Sequence, residues 1–111
     1  MKDDRVYLLH IMKCISRVEE DTVGGREEFF ESAKTRDAVI RNLQILAESS
    51  QRISPELKAR HPDVDWKNMK GFRNILVHDY LGLDLEKIWM IVENDIPNLK
   101  KQATSILAET E

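Results

Sequence analysis

Residues 71–84 of this 111-residue chain read Gly71-Phe72-Arg73-Asn74-Ile75-Leu76-Val77-His78-Asp79-Tyr80-Leu81-Gly82-Leu83-Asp84. It sets an arginine, an imidazole, a carboxylate and a phenol within eight residues, from Arg73 to Tyr80. A histidine moves a proton near neutral pH. An arginine stays charged and forks onto a phosphate or carboxylate. Arg73 and His78 with no metal ligand beside them suit phosphodiester cleavage by an RNA's own 2′-OH. The histidine would take or give a proton, typically worth about 10²–10⁴ in rate. The arginine would hold the phosphate and stabilise charge growing on its oxygens. The competing reading is structural: a buried Arg–Asp pair, and a histidine satisfied by a backbone carbonyl.

On an ideal helix Arg73 and Tyr80 share a face two turns apart, and Asn74 and His78 share another. Arg73 and His78, five positions apart, diverge by about 140°. One straight helix does not aim both at one small target. Either the helix ends or distorts near His78, or two copies of it build the site. A two-fold dimer would place two such sets in one cleft.

The elements that must position these groups read as helices. Residues 4–21 carry Leu8, Ile11, Ile15 and Val18 at spacings of three and four, with Met12 and Cys14 flanking. Thr22-Val23-Gly24-Gly25 ends that helix. Residues 26–33 are a short acidic segment whose Phe29 and Phe30 seal an edge of the core. Residues 36–51 form the next helix on Val39, Ile40, Leu43, Leu46 and Ala47, with Thr35 as its expected cap. Arg41 and Asn42 read by default as surface residues. Ser54-Pro55 opens a short helix that stops by His61-Pro62. Asp65 caps a helix from Trp66 to about Leu81, and Gly82 is placed to stop it. Asp84 caps the last helix, with Leu83 and Ile88 as a hydrophobic staple. Pro97 should bend or restart this helix near Asn94-Asp95. Trp66 and Trp89 serve as core or dimer-interface anchors. The expectation is a single all-α domain over 1–111, four long antiparallel helices with short extra turns.

Charge is uneven within a net −3, so the chain as a whole does not attract nucleic acid. Residues 19–31 are acidic. Residues 58–73 carry Lys58, Arg60, Lys67, Lys70 and Arg73 against Asp63 and Asp65, and lead into the Arg73–Tyr80 stretch. Lys67 and Lys70 are candidates for guiding a polyanion. Cys14 is the only cysteine, which excludes an internal disulfide and fits a reducing cytoplasm. No apolar run approaches a membrane span, and the charged N-terminus lacks a signal-peptide core. His61 has no Cys or His at a metal-ligand spacing, so no metal is expected.

The stretch Arg73, four residues, His78, one residue, Tyr80 resembles the signature of the HepT-like branch of the HEPN superfamily. The likeness extends to Asp37-Ala38-Val39-Ile40-Arg41-Asn42-Leu43, Pro55-Glu56-Leu57, Trp66, Val77-His78-Asp79-Tyr80 with Gly82 and Asp84, and Asp95-Ile96-Pro97 with Leu99. One departure is Ala47-Glu48-Ser49, where the family often has Gly-Glu-Ala; an effect on packing is expected. The resemblance implies a HEPN-type helical bundle that forms a homodimer. It implies a metal-independent ribonuclease, with no cofactor of its own, acting on tRNA or mRNA as the toxin of a toxin–antitoxin pair. Its expected partner is an MntA-like minimal nucleotidyltransferase antitoxin, which would use ATP and magnesium to transfer AMP to Tyr80. Arg73 and His78 would be catalytic, with Asn74, Tyr80, Lys70 and Lys67 supporting the substrate. The rival reading is a non-catalytic helical subunit that binds nucleotide or docks the nucleotidyltransferase.

Overall fold

The structure, a computed structural model, describes residues 2–77 and 84–109. Helix α1 (Lys2–Asp21) buries Leu8, Ile11, Ile15 and Val18, the stripe read from their spacing. It closes where the Thr22 hydroxyl donates to the Val18 carbonyl at 2.7 Å. The turn that follows needs Gly25, whose φ of +81° is open to glycine and strained for a side chain. Helix α2 (Gly25–Glu31) buries Phe29 against Trp89, ring centroids 5.3 Å apart.

Helix α3 (Ala33–Gln51) starts three residues earlier than expected. Its cap is Ser32, not Thr35. Ser32 has extended backbone angles, and its hydroxyl accepts the Thr35 N–H at 3.1 Å. Thr35 therefore stands inside the first turn, as the donor that the cap satisfies. Helix α4 (Pro55–Arg60) follows the expected cap, with Ser54 Oγ accepting the Leu57 N–H at 3.2 Å. Helix α5 (Trp66–Val77) begins where Asp65 Oδ1 accepts the Asn68 N–H at 2.9 Å. The expected end near Leu81, the Gly82 stop and the Leu83 half of the staple lie outside the described residues.

Asp84 Oδ1 accepts the Lys87 N–H at 3.2 Å and opens α6 (Leu85–Met90). A π-helical stretch, Ile91–Asp95, joins α6 to α7 (Ile96–Glu109). Here the Ile96 N–H reaches back five residues to the Ile91 carbonyl. Pro97 explains the change of register: it has no N–H to give the carbonyl four residues earlier. The bend expected from the proline is thus one widened turn just before it.

Packing is all helix on helix, with no strand among the described residues. Helix α3 packs against α1 on one side and α5 on the other, and α7 lies against α1. The core runs through all of them, with Phe72, Leu57, Leu46, Ile88 and Ile106 each at most 2 % exposed. Cys14 is buried in it, and burial pushes its thiol pKa up. Asn42, read by default as a surface residue, is instead buried. Its amide donates to the Ala38 carbonyl at 3.0 Å, and that bond is what lets a polar side chain sit among Val39, Leu43 and Leu46. Arg41 is exposed as expected. Among the described residues no helix is long and apolar enough to cross a membrane.

Candidate functional site

Helix α5 turns Met69 and Phe72 inward, each at most 3 % exposed. That inward pair forces Lys67, Lys70 and Arg73 outward, and all three are exposed. Their spacing of three sets them in a row along the helix. The row ends at an open cleft of about 430 Å³ lined by Arg73, Glu48, Gln51 and Arg52. Arg52 closes α3, its N–H reaching the carbonyls of Ser49 and Ser50. Its guanidinium carbon stands 6.0 Å from the ring centroid of Tyr7 on α1, within cation–π range. Two arginines and one carboxylate therefore share the cleft, and the second arginine leaves its charge positive overall.

The basic character continues onto α4. Lys58 Nζ lies 5.9 Å from the Trp66 ring centroid. Partial burial lowers the Lys58 pKa, the nearby Lys70 lowers it further, and Asp4 opposes them. The effect of Lys70 on Lys58 brings two cations of the 58–73 segment into one field.

Of the residues singled out from sequence, Lys67, Lys70 and Arg73 share one exposed row. His78, Asp79 and Tyr80 lie outside the described residues, as does the side chain of Asn74. Glu48 and Arg52 were not singled out. The only signal for them was their own spacing of four, which puts a Glu and an Arg on one helix face. Within Ala47-Glu48-Ser49 the two departures from the family pattern are buried, at 0 % and 5 % exposure, and so act on packing. Glu48 itself faces the Arg73 cleft. Trp89 is a core residue; its indole N–H donates to Glu93 Oε2 at 3.2 Å. Trp66 is half-buried and donates to the His61 carbonyl at 3.0 Å, tying the start of α5 to the end of α4.

A second, smaller cavity of about 80 Å³ lies between α5 and α7, lined in part by Asp65, Asn68, Asp95 and Gln102. Burial pushes the Asp95 carboxyl pKa up, the Asn68 hydrogen bond opposes this and the charge of Asp65 reinforces it. Among the described residues no group of three or more His, Cys, Asp or Glu side chains is arranged to hold a metal ion.

The class is thus an all-α bundle that presents a basic row on α5 and a two-arginine cleft between α5 and the end of α3. The pattern of the HepT-like family ("Ribonuclease HepT-like") matches residues 11–106, and the chain belongs to that family, a family of ribonucleases within the HEPN superfamily. It is 41% identical over 98 residues to "Probable ribonuclease HepT" of Thermococcus cleftensis, covering 85% of this chain and 86% of that one. It is 38% identical over 102 residues to "Putative RNase MJ1380" of Methanocaldococcus jannaschii, covering 91% and 94%. A longer relative in the same organism, "Gamma-glutamylcyclotransferase and putative RNase MJ0434", is 37% identical over 109 residues; the match takes in 97% of this chain and 49% of that protein. No solved structure matches the chain.

Proposed function

We propose that this chain is a metal-independent endoribonuclease, the toxin of a prokaryotic toxin–antitoxin pair. The observation that carries the reading is Arg73: the first residue of the family signature, exposed on α5 at the end of a lysine row and facing a cleft with a second arginine. In the reaction, the ribose 2′-oxygen attacks the adjacent phosphorus while His78 accepts the 2′-OH proton. The phosphorus–5′-oxygen bond breaks, the 5′-oxygen takes a proton from water, and His78 returns its proton to the solvent. The products are a 2′,3′-cyclic phosphate and a free 5′-OH. Arg73 binds the non-bridging oxygens and gains most strength as charge builds on them. The nucleophile belongs to the substrate, so no metal has to make one.

The ideal-helix divergence of Arg73 and His78, about 140°, favours a site completed by two copies in a homodimer. Silencing follows from Tyr80. A nucleotidyltransferase antitoxin joins the Tyr80 oxygen to the α-phosphorus of ATP, and pyrophosphate leaves. The adenylyl group then adds an anion that competes with RNA for Arg73.

The test is cleavage of total RNA by unmodified protein in EDTA. The expected products end in 2′,3′-cyclic phosphate, and Arg73→Ala and His78→Ala each lower their yield by about 10² or more. Intact RNA after incubation with protein shown by mass to be unmodified would replace this reading with that of a non-catalytic partner subunit.

A further inference from the structure

From the cleft at Arg73 a series of side chains leads to a second, separate cleft. Arg52, on its wall, stands over the Tyr7 ring at 6.0 Å. Tyr7 meets His10 edge-on, ring centroids 6.1 Å apart and planes at 79°. Beyond His10, Lys13 and Arg17 join it around a second open cleft of about 210 Å³, floored by Cys14 and Ile45. Among the described residues no acidic side chain lines that second cleft.

Helical spacing makes this a continuous feature. His10, Lys13 and Arg17 follow at three and four residues and fall within about 60° of one another on an ideal helix. All three are exposed, as are Arg52 and Arg73, and Tyr7 is half-buried. The acids of α1 keep to its ends: Asp3 and Asp4 in the first turn, Glu19, Glu20 and Asp21 in the last. Asp4 is turned inward onto Ser54. From Tyr7 to Arg17 the face runs about 15 Å, ten residues of helical rise.

Cations interleaved with aromatic rings make the kind of surface that holds single-stranded nucleic acid. Cations take the phosphates, and rings stack on bases of any sequence because every base has a π-face. A duplex offers phosphates but keeps its bases stacked within. We propose that Arg73, Arg52, Tyr7, His10, Lys13 and Arg17 form a track for single-stranded RNA leading to the cleavage site. The inference rests on the ribonuclease reading for the identity of the polymer, and on the row of side chains for its path and its single-stranded form.

The experiment measures binding, apart from cleavage. A fluorescent single-stranded RNA of about twelve nucleotides, and the same sequence as a duplex, are titrated with protein carrying His78→Ala, so that the probe survives. The titrations are repeated with Lys13→Gln and Arg17→Gln added, across a salt series. The expected result is tighter binding of the single strand than of the duplex. The added substitutions weaken single-strand binding ten-fold or more and lower the salt slope by about 1.4, two phosphates at about 0.7 each. Circular dichroism matching the parent's shows that the fold is intact. An unchanged affinity and slope would overturn the track. Equal affinity for the duplex would overturn its single-stranded form. No RNA binding by the parent would overturn it too, and metal-free cleavage by the unsubstituted chain would then leave the ribonuclease reading standing alone.

Discussion

Asp4 and Ser54, fifty residues apart, are joined twice: Asp4 Oδ1 accepts the Ser54 N–H at 2.8 Å and Asp4 Oδ2 accepts the Ser54 hydroxyl at 2.6 Å. The same hydroxyl oxygen accepts the Leu57 N–H, so one serine caps α4 and anchors the start of α1. Asp4 is 3 % exposed. Tyr7 lies one turn beyond Asp4, and Arg52 two residues before Ser54. The clamp therefore sets the register in which the Arg52 guanidinium meets the Tyr7 ring.

Asp4→Ala is expected to cost about 1–3 kcal/mol, because it leaves the half-buried Ser54 donors without their acceptor. Urea unfolding measures it. Ser54→Ala removes the same hydroxyl together with the α4 cap, so the double variant should lose less than the sum of the two singles. Strict additivity would mean that the two residues act independently.

Arg73→Ala is expected to separate activity from stability. The side chain is exposed, so unfolding should shift by no more than about 0.5 kcal/mol. Cleavage should fall by about 10²–10³, the usual loss when a donor to a developing oxyanion is removed. Arg73→Lys keeps a charge but loses the two-pronged geometry and should recover little. Near-complete recovery by lysine would reduce Arg73 to a point charge.

Tyr80→Phe is expected to keep the helical bundle and abolish AMP transfer at position 80. Intact-protein mass after incubation with ATP, magnesium and the antitoxin reads it directly. An adenylyl mass on the Phe variant would put the acceptor elsewhere on the chain.

The capping signals were legible because each is local. Ser54-Pro55, Asp65 and Asp84 lie at helix starts, and the structure confirms each through a bond to the N–H three residues on. Ser32 and Thr35 are two hydroxyls three positions apart, and only the extended backbone at Ser32 decides between them. The site divides the same way. Arg73, Lys70 and Lys67 stand out by type and spacing along one helix. Arg52 meets Tyr7 only because α1 packs on α3, a contact between positions forty-five apart that periodicity does not encode. Asn42 misled for a related reason: its burial depends on one bond to Ala38, which residue type alone does not reveal.

Asp95 carries a pH dependence whose sign follows from its surroundings. Burial raises its carboxyl pKa, opposed by the Asn68 hydrogen bond and reinforced by the charge of Asp65. The folded protein thus holds this proton more tightly than the unfolded chain does. Its contribution to stability is greatest below the ordinary carboxylate range and is lost as pH rises through the raised value. Asp95→Asn removes the desolvated charge and keeps an oxygen that can accept from Asn68. The variant should therefore be more stable than the parent at about pH 7, with the difference shrinking toward zero near about pH 3, where Asp95 is protonated in both folded and unfolded chains. Urea midpoints at several pH values between these limits test it. A difference that stays constant with pH would trace the effect to packing of the π-helical turn that Asp95 ends, and the charge of Asp95 would then have no part in it.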